Sequence, residues 1–145
     1  MEIEKKYTIK EIPELKDCAY HKIEQAYLNR RPTLRVRRED DRFYCTYKGD
    51  GLMAREEYNL PLDEASYYHL RDKADGRIIT KTRYLIPYGD YTIELDIFEG
   101  ELKPLVIAEV EFPTVEEAEA FVPPDWFAED VTGDPGYQNS NLSKQ

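Results

Sequence analysis

The chain has 145 residues, of which 41% are hydrophobic and 34% charged, and its formal net charge is −10. That length makes one domain with a real core, and no apolar run approaches the roughly 18 residues that a membrane span needs. The acidic surplus excludes general nucleic-acid binding, which needs a basic surface, but not an anionic ligand, because a local basic patch can focus field inside a cleft.

In chain order, the first predicted strand covers residues 1–9, where Glu2, Glu4 and Lys6 stand two apart. On an extended strand such residues share one face, successive side chains about 6.6 Å apart. Further strands are predicted at 19–28, 33–39, 42–48 and 52–60. The turn signals between them are Asn29-Arg30-Arg31-Pro32, Glu39-Asp40-Asp41 and Lys48-Gly49-Asp50-Gly51. A helix follows over 62–74, with Asp63 as N-cap and Ala65, Tyr68 and Leu70 at helical spacing. Strands resume at 77–87, 90–98 and 105–113, punctuated by Tyr88-Gly89-Asp90 and Glu99-Gly100. Thr114-Val115-Glu116-Glu117 is a capping-box sequence that opens a second helix, which Pro123-Pro124 stops. Residues 123–145 read as a tail with one anchor, Trp126-Phe127, expected to dock on the body of the protein or on a second subunit.

The N-terminus is acidic and lacks the layout of a signal peptide. Cys18 and Cys45 are too few for a disulfide framework and too far apart for a metal cluster. A reducing cytoplasm is therefore the expected setting. His21 and His69 have no catalytic companions and read as structural or surface residues.

Charge recurs at two-residue spacing in seven of the eight predicted strands. The in-phase cations are Lys6, Arg35, Arg37, Lys48, Arg55, Lys81 and Arg83, and the in-phase anions are Glu2, Glu4, Glu57, Glu94, Asp96, Glu109 and Glu111. A solvated outer face accounts for any one strand, but not comfortably for seven. Burying such charges unpaired costs several kcal/mol each, so they need partners, a water-filled space or a charged ligand. A closed eight-stranded antiparallel β-barrel, mainly β with peripheral helices, supplies that space by turning alternate residues inward. A lumen with both signs suits a polyanion held directly by Arg and Lys and indirectly through divalent cations on carboxylates.

At this point the residues carry a family resemblance. Glu2, Glu4 and Lys6, Gln25-Ala26-Tyr27-Leu28, Arg35-Val36-Arg37, Thr46-Tyr47-Lys48-Gly49, Arg55-Glu56-Glu57-Tyr58, Lys81-Thr82-Arg83, Glu94-Leu95-Asp96-Ile97-Phe98 and Ala108-Glu109-Val110-Glu111-Phe112 stand in family order. The chain resembles a CYTH-domain protein of the triphosphate tunnel metalloenzyme superfamily over residues 1–122. Asn59 departs from an acidic residue that some relatives carry there. The resemblance implies that Lys6, Arg35, Arg37, Lys48, Arg55, Lys81 and Arg83 contact a phosphate chain. It makes Glu2, Glu4, Glu109 and Glu111 the leading ligands for Mg2+ or Mn2+, with Glu57, Glu94 and Asp96 in support or at a second metal.

The activity so implied is metal-dependent hydrolysis of inorganic tripolyphosphate to pyrophosphate and phosphate. The alternatives are a class IV adenylate cyclase, a thiamine triphosphatase and a non-catalytic polyphosphate-binding module. No second domain that could grip a nucleoside or RNA is evident. The expected partner is a small-molecule triphosphate, with no nucleic acid and no membrane, and the protein is expected to be a monomer or homodimer.

Overall fold

A computed structural model describes residues 1–144. Ten strands form it: β1 (Glu2–Ile9), β2 (Ala19–Arg30), β3 (Thr33–Glu39), β4 (Arg42–Lys48), β5 (Ala54–Arg55), β6 (Glu57–Pro61), β7 (Ile79–Tyr88), β8 (Tyr91–Phe98), β9 (Val106–Glu111) and β10 (Phe127–Asp130). They pair antiparallel in the order β10-β1-β9-β8-β7-β2-β3-β4-β6, and β5 pairs with β1. Because β5 and β6 are consecutive, that last pairing brings the two ends of the sheet together. The result is a nearly closed barrel. Among the described residues no helix is long and apolar enough to cross a membrane.

The single strand predicted at 52–60 is therefore two, broken at Glu56. The physical reason is a change of partner. β6 runs along β4, with Glu57 opposite Lys48, while β5 lies on β1, with Arg55 opposite Glu2. Gly51 makes the approach to this segment, at φ +142°, where a Cβ would stand 2.2 Å from the Ala54 carbonyl oxygen. Counting β5 and β6 as one place leaves eight places in the ring. β10 lies outside them, on the far end of the same β1 edge, with Ile9 opposite Phe127.

Short hairpins set the register elsewhere. Asp40-Asp41 joins Glu39 to its partner Arg42, and Gly89-Asp90 joins Tyr88 to Tyr91. Alternation then puts aliphatic residues of β8 and β9 on the outer face. There Ile93, Leu95, Ala108 and Val110 are buried with Tyr7, Phe112, Ala118 and Phe127. Helix α1 (Glu64–Arg71) starts where Asp63 accepts a hydrogen bond from the Ser66 amide, 2.7 Å. The residue it buries fully is Tyr67, against Ala26 and Val36; of the predicted stripe Tyr68 and Leu70 pack partly buried on the same cluster, and Ala65 is exposed. Helix α2 (Val115–Ala120) is capped by Thr114, which accepts from the Glu117 amide.

Trp126 and Phe127 pack on the barrel, with the Phe127 ring 4.7 Å from that of Tyr7. Beyond β10 the chain makes a 3-10 turn and helix α3 (Asn139–Leu142). Tyr137 and Leu142 rest against Tyr27, Ile79, Phe98 and Ile107. Ile79, Phe98 and Ile107 are in phase with the inner charges of their strands, and Tyr27 with Gln25, which bonds Arg37, so the four form an apolar plug inside the barrel.

Candidate active site

Of the fourteen in-phase charges, all but Lys81 and Asp96 line one central cavity of about 220 Å³. Lys81 and Asp96 are 1% and 0% exposed. Their Nζ and Oδ2 are 2.7 Å apart, and Nζ also lies 5.3 Å from the Phe98 ring centre. Expected to face a ligand, they lie instead one layer below the cavity, because the neighbouring inner positions are the plug residues Ile79, Phe98 and Ile107. Burial pushes the Lys81 amine down to about 8, against the pull of Asp96. Burial also opposes ionisation of Asp96, but Arg83 and Lys81 outweigh it and hold the carboxyl below its usual range.

Along β7, β8, β9 and β1 the charges satisfy one another. Arg83 forks onto Asp96 at 2.7 and 2.9 Å and also reaches Glu109 at 3.0 Å and Glu94 at 3.3 Å. Glu109 receives Lys6 as well, at 3.6 Å. Although burial works against its ionisation, Lys6 and Arg83 hold it far below the ordinary carboxylate range. At the closing seam, Lys48 stands 3.0 Å from Glu2 and 3.4 Å from Glu57, and Arg55 lies 3.6 Å from Glu2. These pairs bring Glu2 and Glu109 into the cavity wall with cations already beside them.

β3 is different. Arg35 donates through Nη2 to the Thr46 hydroxyl at 3.2 Å, and its buried Nε has no hydrogen-bond partner. Arg37 donates through Nε to the Gln25 amide oxygen at 2.9 Å. Its carboxylate neighbour, Glu39, is at the limit of ion pairing, 3.9 Å. Burial, with Arg35 and Arg83 close by, lowers the Arg37 pKa. An uncompensated cluster of guanidiniums lines this side of the cavity.

The complementary excess of negative charge lies on β1, β8 and β9. Glu4 and Glu111 have no cation within ion-pairing distance among the described residues, and Glu94 has only its contact with Arg83. Burial, then the neighbouring carboxylate Glu109, raises Glu4. Burial, then Glu2 and Glu57, raises Glu111. Burial pushes Glu94 up to about 7 even with Arg83 pulling the other way. Such oxygen donors fit a hard divalent cation. Among the described residues no three ligating side chains stand together as a preformed metal site.

Other wall residues carry no charge pattern to announce them. Gln25 and Tyr27 belong to a quoted motif, but nothing in their residue types assigns them a role. In the structure Gln25 is fully buried and its amide nitrogen lies 3.5 Å from the Tyr27 hydroxyl. Tyr27 itself lines the cavity. Thr46 donates to Asn59 at 2.6 Å, which fixes the residue that meets Arg35. Gln138, Asn139 and Ser140 also line the cavity, a placement no local pattern could disclose.

The CYTH domain model matches residues 1–141 of the chain. An inorganic triphosphatase from Nitrosomonas europaea is 38% identical, over 98% of this chain and 96% of that protein. One from Acetivibrio thermocellus is 40% identical over 81% of this chain and 76% of its own length. Among solved structures, the crystal structure of the inorganic triphosphatase NE1496 superposes with a TM-score of 0.74 at 34% identity, covering 100% of this chain and 95% of that one. The PH1012 protein from Pyrococcus horikoshii shares the fold, with a TM-score of 0.62 at 20% identity over 100% of this chain and 92% of that chain.

Proposed function

Since the chain belongs to the CYTH domain family, we propose that it hydrolyses inorganic tripolyphosphate to pyrophosphate and orthophosphate in the central cavity, with Mg2+ or Mn2+ bound. The observation that carries this reading is Arg35 and Arg37, buried on β3, whose hydrogen bonds go to neutral groups and whose nearest ion pair is the long Arg37–Glu39 contact at 3.9 Å. Two desolvated guanidiniums hydrogen-bonded only to neutral groups leave strong, directional donors for a polyanion. The relatives named inorganic triphosphatase, similar over most of the chain, support the same substrate.

In this reading Arg35 and Arg37 grip the phosphate chain, and Lys6, Lys48, Arg55 and Arg83 set the potential of the remaining wall. Lys81 and Asp96 act from below, by holding Arg83 in place. Glu4, Glu94 and Glu111 would hold the cation, with Glu2, Glu57 and Glu109 near enough to shape its surroundings. When bound, the cation neutralises phosphate charge and lowers the pKa of a coordinated water. Water adds to a terminal phosphorus and gives up a proton to solvent, the bridging P–O bond breaks, and its electron pair leaves with pyrophosphate. Little covalent chemistry is asked of the protein, since phosphoryl transfer depends mainly on positioning and charge stabilisation. That agrees with the lack of a Ser or Cys nucleophile constellation in the sequence.

The test is phosphate release from tripolyphosphate, ATP and thiamine triphosphate, each with Mg2+, with Mn2+ and with a chelator. Tripolyphosphate with a divalent cation is expected to give a kcat/KM at least tenfold above ATP, about 1.4 kcal/mol of transition-state preference. Cyclic AMP formed from ATP faster than phosphate from tripolyphosphate would overturn the assignment in favour of a cyclase. Undiminished turnover in the chelator would remove the metal.

A further inference from the structure

A second cavity, of about 490 Å³, adjoins the first at the C-terminal segment. The two share Thr33, Arg55, Gln138 and Ser140 as wall. In a chain of net charge −10, the titratable side chains around this rear space are Arg30, Arg31, Arg55 and Lys144 against one carboxylate, Asp50. Asp50 takes Arg31 at 3.2 Å, but both partners are largely exposed, and an exposed pair offers little net stabilisation. Arg30 is already engaged. Its Nε donates to the Ser140 carbonyl at 2.9 Å and its Nη2 to the Ser143 hydroxyl at 3.1 Å, so it ties down the segment that separates the two spaces. Asp75, which takes its Nη1, does not line the cavity.

The chemistry of this space differs from that of the centre. The central cavity offers both signs and suits a phosphate chain with its cation. The rear cavity offers positive charge with a single carboxylate, so it has no set of oxygen ligands for a metal. We propose that it is a separate anion site, which takes pyrophosphate or orthophosphate without a divalent cation, with Arg31, Arg55 and Lys144 supplying the charge. Naming the products as its occupants rests on the tripolyphosphatase reading above. Arg55 stands in the wall of both cavities, so a product anion freed from its metal would meet the next set of cations close to the first.

The experiment is calorimetric titration of pyrophosphate, and separately of orthophosphate, into the full chain in a chelator. Three proteins are compared: wild type, Arg37→Ala, and the double variant Arg31→Glu/Lys144→Glu. The proposal expects metal-free binding in the wild type, much the same binding in Arg37→Ala, and at least tenfold weaker binding in the double variant. Arg31 and Lys144 are both exposed, so the double variant should keep the wild-type melting temperature, which checks that it folds. Binding lost in Arg37→Ala and kept in the double variant would put the anion in the central cavity alone and overturn the proposal, as would no metal-free binding in the wild type. The titration reads the rear site even if tripolyphosphate proves not to be the substrate, so the two readings fail separately. Comparing the two anions shows which product the site prefers.

Discussion

Arg83 on β7 and Arg37 on β3 are both buried guanidiniums of one lumen, in opposite electrostatic conditions. Arg83 is met by Asp96, Glu94 and Glu109, and these carboxylates raise its pKa well above the ordinary value even though burial works the other way. Arg37 meets a neutral amide and a phenol, with one carboxylate, Glu39, no nearer than 3.9 Å, and its pKa is lowered by burial and by the other two arginines. The difference teaches how a barrel interior divides its charge. One region spends its cations on its own anions and becomes a rigid frame, while the other is left in electrostatic debt, which a polyanion can settle. Charge near Arg83 should govern stability, and charge near Arg37 should govern binding.

The largest effect expected of that division comes from Asp96→Asn. It leaves Lys81 and Arg83 buried without their main counter-charge, which should cost about 3–5 kcal/mol. Chemical denaturation measures it, and a loss below about 1 kcal/mol would show that the frame does not depend on the pair.

Arg37→Ala should do the reverse. It is expected to lower kcat/KM for tripolyphosphate by about a hundredfold, which is close to 2.7 kcal/mol, with an unfolding free energy within about 1 kcal/mol of wild type. ATP turnover, if present, should fall in parallel, because both substrates offer a triphosphate to the same residue. A variant that unfolds before it loses activity would erase the distinction between the two regions.

Glu4, Glu94 and Glu111 make a pH prediction for the metal-free protein. Glu94 has its pKa raised to about 7 from 4.5, so between those values the folded state binds more protons than the unfolded chain, and stability falls as pH rises. Glu4 and Glu111 shift in the same direction. Asp96 and Glu109 are shifted down, so their contribution is present above the unfolded pKa and is lost only as pH falls through their lower folded values. Melts in a chelator should therefore show stability dropping by about 2 kcal/mol between pH 5 and pH 7.5, and Mg2+ should abolish most of the drop. A flat profile across that window would mean that burial and mutual repulsion do not oppose ionisation of these three carboxylates.

The smallest effect sharpens the comparison. Gln25→Glu would give Arg37 an anionic partner at hydrogen-bond distance, as Arg83 already has, without changing the shape of the side chain. KM for tripolyphosphate should rise about tenfold, equivalent to 1.4 kcal/mol, with kcat within a factor of about three and Tm unchanged or higher. A fall in kcat at constant KM would mean that Arg37 acts in the transition state and not in binding.

The sequence by itself determined which residues share a face. A two-residue period is a property of the extended backbone, so Glu2, Glu4 and Lys6, or Arg35 and Arg37, had to point the same way once their segments became strands. Turn residues such as Gly89-Asp90 and caps such as Asp63 and Thr114 are equally local, and they mark the hairpin and both longer helices where the chain places them. Only the tertiary structure decided which charges were neutralised. Asp96 lies opposite Ile107 and Arg83 opposite Asp96 because of cross-strand register, and nothing in the local spacing of Lys81-Thr82-Arg83 separates a sealed lysine from an arginine in the cavity wall. Register also brings Gln25 opposite Arg37, which turns an ordinary strand glutamine into its partner. The break at Glu56 and the return of residues 138–140 to the cavity depend on closing the ring and covering its apolar plug. Those requirements belong to the whole barrel, and no short stretch of sequence contains them.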